Sequence, residues 1–211
     1  MAKPSIRTLT DLRGKTISIG GAQDITRIYL ERMLAPAGVT PGSYDKVYAG
    51  ATAARFAALQ SGAVDAALLT SPFNFRAESA GFVSLGITAE FVRDFPFTGI
   101  SVNRAWGRQH QDLLIRFLKA YRQAVQWFED PANRAEAVDL LATASKSDPK
   151  DADRTYDFYR RIKAYDATGA LDPTQIAALL TILKQLGQIE GNTDPTRFID
   201  PQLSTLAGKL P

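Results

Sequence analysis

The sequence has no cysteine and a single histidine, His110. The missing thiols exclude disulfide frameworks, Cys-based zinc sites, thiol nucleophiles and a lipid-modified N-terminal cysteine. One histidine leaves no conventional zinc site, and any Ser-His-Asp triad would depend wholly on His110. That residue falls in the polar stretch Gly107-Arg108-Gln109-His110-Gln111, which reads as a solvated helix start rather than a general base. No run approaches the ~18 apolar residues of a membrane span. Dense blocks of one charge are missing too: 25 basic and 22 acidic residues are interspersed for a net +3, so no nucleic-acid surface is expected. Gly20-Gly21 is not the G-x-G-x-x-G fingerprint, and no G-x-x-x-x-G-K-[ST] loop occurs, so no nucleotide cofactor is expected. The start, Met1-Ala2-Lys3-Pro4-Ser5, leads into a polar segment without a signal-peptide pattern. Either the product stays inside the cell, or an export signal has been removed with other upstream sequence.

What is present is ordinary for a globular protein: 211 residues, 45% hydrophobic and 22% charged, enough for one large domain or two small ones. The first half alternates short apolar runs with amphipathic ones. Strands are expected at 16–20, 44–49, 64–69 and 82–87. Between the first two, Ile25, Ile28, Tyr29 and Met33 recur at helical spacing, with Gly38 as a stop. Thr52 is expected to cap a helix that Gly62 ends, and Ser71 to cap one whose first residue is Pro72. This alternation is the signature of βαβ units and a mainly parallel sheet. From Trp106 onward the chain reads as helical: Leu114, Phe117, Leu118, Tyr121, Val125 and Phe128 form one stripe. Asp-Pro at 130–131, 148–149, 172–173, 194–195 and 200–201 punctuates a run of helices. A boundary is expected between residues 93 and 103, with Thr98–Val102 a lone strand that cannot form a sheet by itself.

Open α/β sheets bind ligands beyond the carboxyl ends of their strands, where helix N-termini present unpaired N–H groups. Three turns qualify: Gly20-Gly21-Ala22-Gln23-Asp24, Gly50-Ala51-Thr52, and Thr70-Ser71-Pro72-Phe73-Asn74. Together they offer amides and hydroxyls suited to a polar or anionic small molecule. The plainer reading makes Thr52 and Ser71 helix caps and the glycines aids to tight turns, although capping alone does not need the double glycine before Gln23. Arg27, Arg55 and Arg76 each lie near a helix start and could neutralise an anion, but a surface role is the default for each. No catalytic set emerges.

Three segments also carry a family resemblance. They are Leu9-Thr10-Asp11-Leu12-Arg13-Gly14-Lys15-Thr16-Ile17; then Ala57-Ala58-Leu59-Gln60-Ser61-Gly62-Ala63-Val64-Asp65-Ala66-Ala67; then Pro72 and the turn Ala80-Gly81-Phe82. In order and spacing, residues 9–90 resemble the second lobe of NMT1/THI5-like solute-binding proteins, the group that includes nitrate, sulfonate and taurine binders. The helices from Phe117 onward resemble the C-terminal part of the same family. The resemblance implies an α/β fold of the type II periplasmic binding protein kind. Residues 8–95 would form one βαβ lobe with a parallel-rich sheet, and 96–211 the mostly helical remainder of the first lobe. It implies a non-enzymatic, periplasmic protein that holds a small anionic or zwitterionic solute between two lobes and hands it to an ABC permease. The matching site positions are Gly21, Ala22, Gln23, Thr52, Thr70 and Ser71, with no metal. Family members carry further sequence ahead of the Asp11-to-Lys15 turn, which supplies the sheet of the first lobe. A homodimer completing that lobe, a truncated non-binding fragment, a LysR-type effector domain, and an enzyme of thiamine-pyrimidine or menaquinone-type biosynthesis stay open as alternatives.

Overall fold

Ile17 and Ile19 alternate with Thr16 and Ser18, and this period of two gives β1 (Thr16–Ile19) two buried faces. In the computed structural model, which describes residues 1–200, 202, 203 and 206, β1 is the middle strand of a parallel sheet. Its neighbours are β2 (Asp45–Tyr48) and β3 (Ala66–Ala67), in the order β2-β1-β3. Register runs Thr16 to Asp45 on one side and Ile17 to Ala66 on the other. The chain moves one way from β1 to β2 and the other way from β2 to β3. Right-handed crossovers therefore place the two connecting helices on opposite faces. One face, with Ile17, Ile19 and Ala66, packs on Leu30 and Leu34 of α1 (Ile25–Leu34). The other carries Ala67 against Leu59 of α2 (Thr52–Gln60). After β3 comes the short α3 (Phe73–Ser79).

The expected fourth strand at 82–87 does not form. Only Val83 makes a bridge, antiparallel to Ala2, and Ala2 also bridges Ala66. The N-terminal segment thus occupies the edge of β3 that a fourth parallel strand would need. Ala67 N donates to Met1 O at 2.8 Å, Lys3 N to Asp65 O at 2.9 Å, and Ala2 exchanges both backbone bonds with Val83. The Lys3 ammonium, 2.8 Å from Asp65, adds a charged clip. Thr98–Val102 is not a strand either. Among the described residues no strand pairs with it, and Phe97, Ile100 and Val102 are about half exposed.

The chain divides into two compact units: Met1–Arg93 with Asp139–Asp157, and Asp94–Val138 with the chain from Phe158. Residues 139–157, which the sequence groups with the helical remainder, pack with the α/β unit instead. Tyr156 is fully buried there, and Arg154 pairs with Glu78 while lying 4.3 Å from the Phe75 ring. The second unit is helical: α4 (Arg104–Gln109), α5 (Gln111–Glu129), the first turn of α6 (Arg134–Ser145), the end of α7 (Pro149–Ile162) and α8 (Pro173–Gln185). The Asp-Pro pairs act as the sequence indicates. Asp130, Asp172 and Asp194 each accept the backbone N–H two residues on, and Asp148 does the same for Lys150 at the start of α7. Asp200 caps likewise through Gln202, while its Pro201 lies outside the described residues. His110 stands between α4 and α5, exposed, with its ring stacked on Trp106 at 4.5 Å and Nδ1 2.8 Å from the Trp106 carbonyl.

Candidate functional site

The parallel strands bring the three expected turns to one sheet edge. Ala49 N donates to Ile19 O at 3.0 Å and Gly50 N to Gly20 O at 2.9 Å, so the first two turns are joined through their backbones. Thr52 Oγ1 lies 3.0 Å from Thr70 Oγ1, which joins the second turn to the third across eighteen residues of chain. Unbonded N–H groups stand along this edge. Among the described residues, those of Gly21, Ala22, Gln23, Thr52 and Ala53 have no hydrogen-bond partner. The last two belong to the open first turn of α2, where the helix dipole also favours negative charge.

The first turn owes its shape to Asp24, the N-cap of α1. Its Oδ1 accepts from Thr26 N at 2.8 Å and from the Thr26 hydroxyl at 2.5 Å, and that hydroxyl in turn accepts from Gly20 N at 2.9 Å. This knot explains half of the double glycine. A Cβ on Gly20 would sit 2.7 Å from the Asp24 carboxylate, whereas one on Gly21 would meet nothing closer than 3.6 Å. Gly21 is half-buried, and Ala22 and Gln23 are exposed.

Two cap assignments change. Thr52 is the first residue of α2, not its cap, because Ala51 holds the extended N-cap conformation. The Thr52 hydroxyl is thereby released for Thr70 and for Arg55. Pro72, not Ser71, is the N-cap of α3, and no side chain caps that helix. Ser71 stands one residue earlier, half-buried, while Asn74 Oδ1 in the first turn of α3 is buried without a donor.

The residue that the default surface reading missed is Arg55. It lies one turn after Thr52 on the same face of α2, at the i+3 position, and it is only 5% exposed. Nη2 donates to Thr52 Oγ1 at 2.7 Å, while Nε and Nη1 are buried with no acceptor. Burial pushes the guanidinium below its ordinary pKa, against an opposing pull from the Asp24 carboxylate. Arginine nevertheless stays protonated in proteins, so a full charge sits beneath this edge. The other two arginines are engaged elsewhere. Arg27 bonds Glu31 at 2.9 Å and the Ala22 carbonyl at 3.2 Å, and Arg76 lies exposed over the Phe73 and Phe56 rings. A sequence signal for Arg55 did exist: residues 52, 55, 56 and 59 form the inward stripe of α2, so its one cation falls among Phe56 and Leu59.

Among the described residues, no group of three or more His, Asp or Glu could hold a metal ion. No helix of the described residues is long and apolar enough to cross a membrane.

A family model described as the NMT1-like family matches residues 4–142. The bicarbonate transport ATP-binding protein CmpC of Synechocystis sp. (strain ATCC 27184 / PCC 6803 / Kazusa) is 31% identical over 87 residues, which are 40% of this chain and 13% of that protein. Among solved structures, the alkanesulfonate-binding protein SsuA from Xanthomonas axonopodis pv. citri, bound to MOPS, superposes with a TM-score of 0.65 at 20% identity. That match covers 89% of this chain and 63% of the other. The periplasmic aliphatic sulphonate binding protein SsuA of Escherichia coli gives 0.71 at 18% identity, over 97% of this chain and 68% of the other. The ligand binding component of an ABC-type import system from Staphylococcus aureus, with zinc bound, gives 0.73 at 17% identity, over 98% and 68%. At these identities the superpositions establish the fold. The chain spans 13% of the length of CmpC and 63% of the Xanthomonas protein.

Proposed function

The chain belongs to the NMT1-like family, and on that premise we propose that it is the solute-binding component of an ABC importer, acting without catalysis. The proposed solute is a small anionic or zwitterionic organic molecule, and the partner is a membrane permease of the ABC type. The proposed compartment is the periplasm, the one named for the Escherichia coli SsuA whose fold it shares. The α/β unit, expected over residues 8–95 and joined by residues 139–157, would serve as the second lobe of a type II binding protein, and the other unit as the remainder of the first.

One observation carries the reading: the carboxyl edge of the sheet gathers unpaired N–H donors beside a buried cation. Five unpaired N–H groups, the Thr52–Thr70 hydroxyl pair and the buried Arg55 charge lie along it. Among the described residues of the three turns, the one carboxylate, Asp24, is already occupied by Thr26. An edge built this way stabilises negative charge and offers little to a cation. The site residues proposed are Gly21, Ala22 and Gln23 through the first turn, and Thr52, Thr70 and Ser71 through the other two.

Thermal unfolding in the presence of taurine, ethanesulfonate, nitrate and bicarbonate tests the proposal. A ligand at 100 times its dissociation constant adds about 2.7 kcal/mol, a readily measured rise in melting temperature. A folded sample that shows no shift with any of the four refutes solute binding by this chain. Replacing Gln23 with Ala should weaken whatever binding is found, and an unchanged affinity removes its side chain from the site.

A further inference from the structure

Arg55 is an expensive residue for the fold alone. It occupies the inward stripe of α2 beside Phe56 and Leu59, where a methionine or leucine would fill the space without a charge to desolvate. Two of its three guanidinium nitrogens are buried without acceptors. Uncompensated burial of this kind is destabilising, and apolar replacements of buried charges are often neutral or stabilising. What the charge does achieve is directional. A guanidinium can only donate, so the 2.7 Å contact makes Thr52 Oγ1 an acceptor and turns its own proton away from Arg55. The 3.0 Å contact with Thr70 consumes one of the two threonine hydroxyl protons, whichever residue supplies it. The second proton has no acceptor inside the pair. It must point outward, from half-buried Thr52 or exposed Thr70, beside the free N–H groups of Thr52 and Ala53. Asp24, the carboxylate whose charge acts on Arg55, is engaged with Thr26 and is not bonded to either threonine of the pair.

We infer that Arg55 is a positioning residue that orders an Arg55–Thr52–Thr70 hydroxyl relay to donate outward, making this edge select an oxyanion over a neutral solute of the same shape. The inference rests on the solute-binding reading and adds to it the class of group that this edge accepts: a sulfonate, carboxylate, nitrate or bicarbonate oxygen. With Arg55 in place, the two threonines together have one free proton, and it is always a donor to the ligand. Without Arg55, the Thr52 proton can turn inward and leave only lone pairs facing the ligand, which repel an anion.

The test measures calorimetric affinity for taurine, ethanesulfonate, nitrate and bicarbonate in the full chain and in Arg55→Met, Arg55→Lys, Thr52→Val and the Arg55→Met/Thr52→Val double variant. For the tightest of the four probes, Arg55→Met and Thr52→Val should each lose roughly 10- to 100-fold, the effect of a hydrogen bond to a charged group. The double variant should lose little more than either single one, because either change breaks the same relay. Arg55→Lys, which keeps a donor-only cation, should retain most of the affinity. Arg55→Met without ligand should melt at the wild-type temperature or above, which a merely structural arginine would not allow. Should Arg55→Met fail to fold, Thr52→Val and Arg55→Lys still decide the matter. If a probe binds the wild type while Arg55→Met or Thr52→Val binds it within twofold, the relay is refuted and the solute-binding reading stands. If Arg55→Lys loses as much as Arg55→Met, the donor-only charge is not the operative feature and the relay is likewise refuted. Binding of none of the four probes by a folded wild type overturns both.

Discussion

Replacing Gly20 with alanine tests the account of the first turn in a way that separates local sterics from backbone freedom. Gly20 does not have a positive φ, so an alanine is allowed by its backbone. The obstacle is the Asp24 carboxylate, whose Cγ and Oδ1 would each lie 2.7 Å from the new methyl. The carboxylate is the free end of a side chain and would swing aside, at the expense of its bonds to Thr26 N and Thr26 Oγ1. Loss of an Asp N-cap costs about 1 kcal/mol, within a range of roughly 0.5–2. Against that, Gly→Ala at a compatible position stabilises by about 0.4–1 kcal/mol through the unfolded state. In the wild-type background the two effects nearly cancel, and Gly20→Ala should be neutral to destabilising by about 1 kcal/mol. In an Asp24→Ala background the obstacle is gone and the same change should stabilise by about 0.5 kcal/mol. The double-mutant cycle in urea should therefore show a coupling of about 0.5–1.5 kcal/mol, the change being neutral to harmful with Asp24 and stabilising without it. Additive effects, or a Gly20→Ala change as harmful without Asp24 as with it, would refute the close approach as the reason for glycine here.

Other expectations follow from the charged groups of the α/β unit. Asp65 is held below the usual carboxylate range by its hydrogen bond from Lys3, then by the bond from Thr16 N. A depressed folded pKa stabilises above the unfolded value near 3.9 and is lost as the pH falls through the folded value, so Lys3→Met should flatten the acid limb of the stability profile below about pH 4. The Met1 amine, buried against the Ala67 carbonyl at 3.1 Å, is pushed down by burial from 8.0 to about 6. The unfolded chain then binds more protons between those values, so stability of the chain with this free amine should rise from pH 6 to 8, and acetylating Met1 should remove that slope. Burial also raises Tyr44 to about 12, so in a spectrophotometric titration Tyr44→Phe should delete the component of the tyrosine transition near that pH. Arg154→Ala should destabilise by about 0.5–1.5 kcal/mol in urea, since it removes a half-exposed ion pair to Glu78 and a cation–π contact with Phe75.

Much of the first unit was readable because its signals are local. Strand β1 shows in Thr16–Ile19, α1 in the spacing of Ile28, Tyr29 and Met33, α5 in its apolar stripe, and α8 in its Asp172-Pro173 start. The strand expected at 82–87 failed because an apolar run indicates burial but not a pairing partner, and Ala2 had already taken the edge of β3. Thr98–Val102 failed for the converse reason: β-forming residues without a neighbour stay irregular. For the candidate site, the three turns were legible as strand–turn–helix junctions. The cap assignments at Thr52 and Ser71 were not, since a Thr or Ser beside a helix start serves equally as cap or first-turn residue, and only the backbone conformation of Ala51 and Pro72 distinguishes them. Arg55 was discounted because arginine is usually solvent-exposed, a rule overridden here by its place on the inward stripe of α2.

By itself, then, the sequence determined the alternation of β1, α1, β2, α2 and β3, the Asp-Pro helix starts, and membership of a family whose words run from Leu9 to Phe82, because these depend on residues a few positions apart. The tertiary structure alone decided what meets what. The β2-β1-β3 order places Thr52 beside Thr70, seats the N-terminal segment against Ala66, and encloses the Arg55 charge beneath Thr52. Those contacts join residues up to 66 positions apart, and no local pattern encodes them. They follow from strand pairing and from the faces that right-handed crossovers assign to each helix.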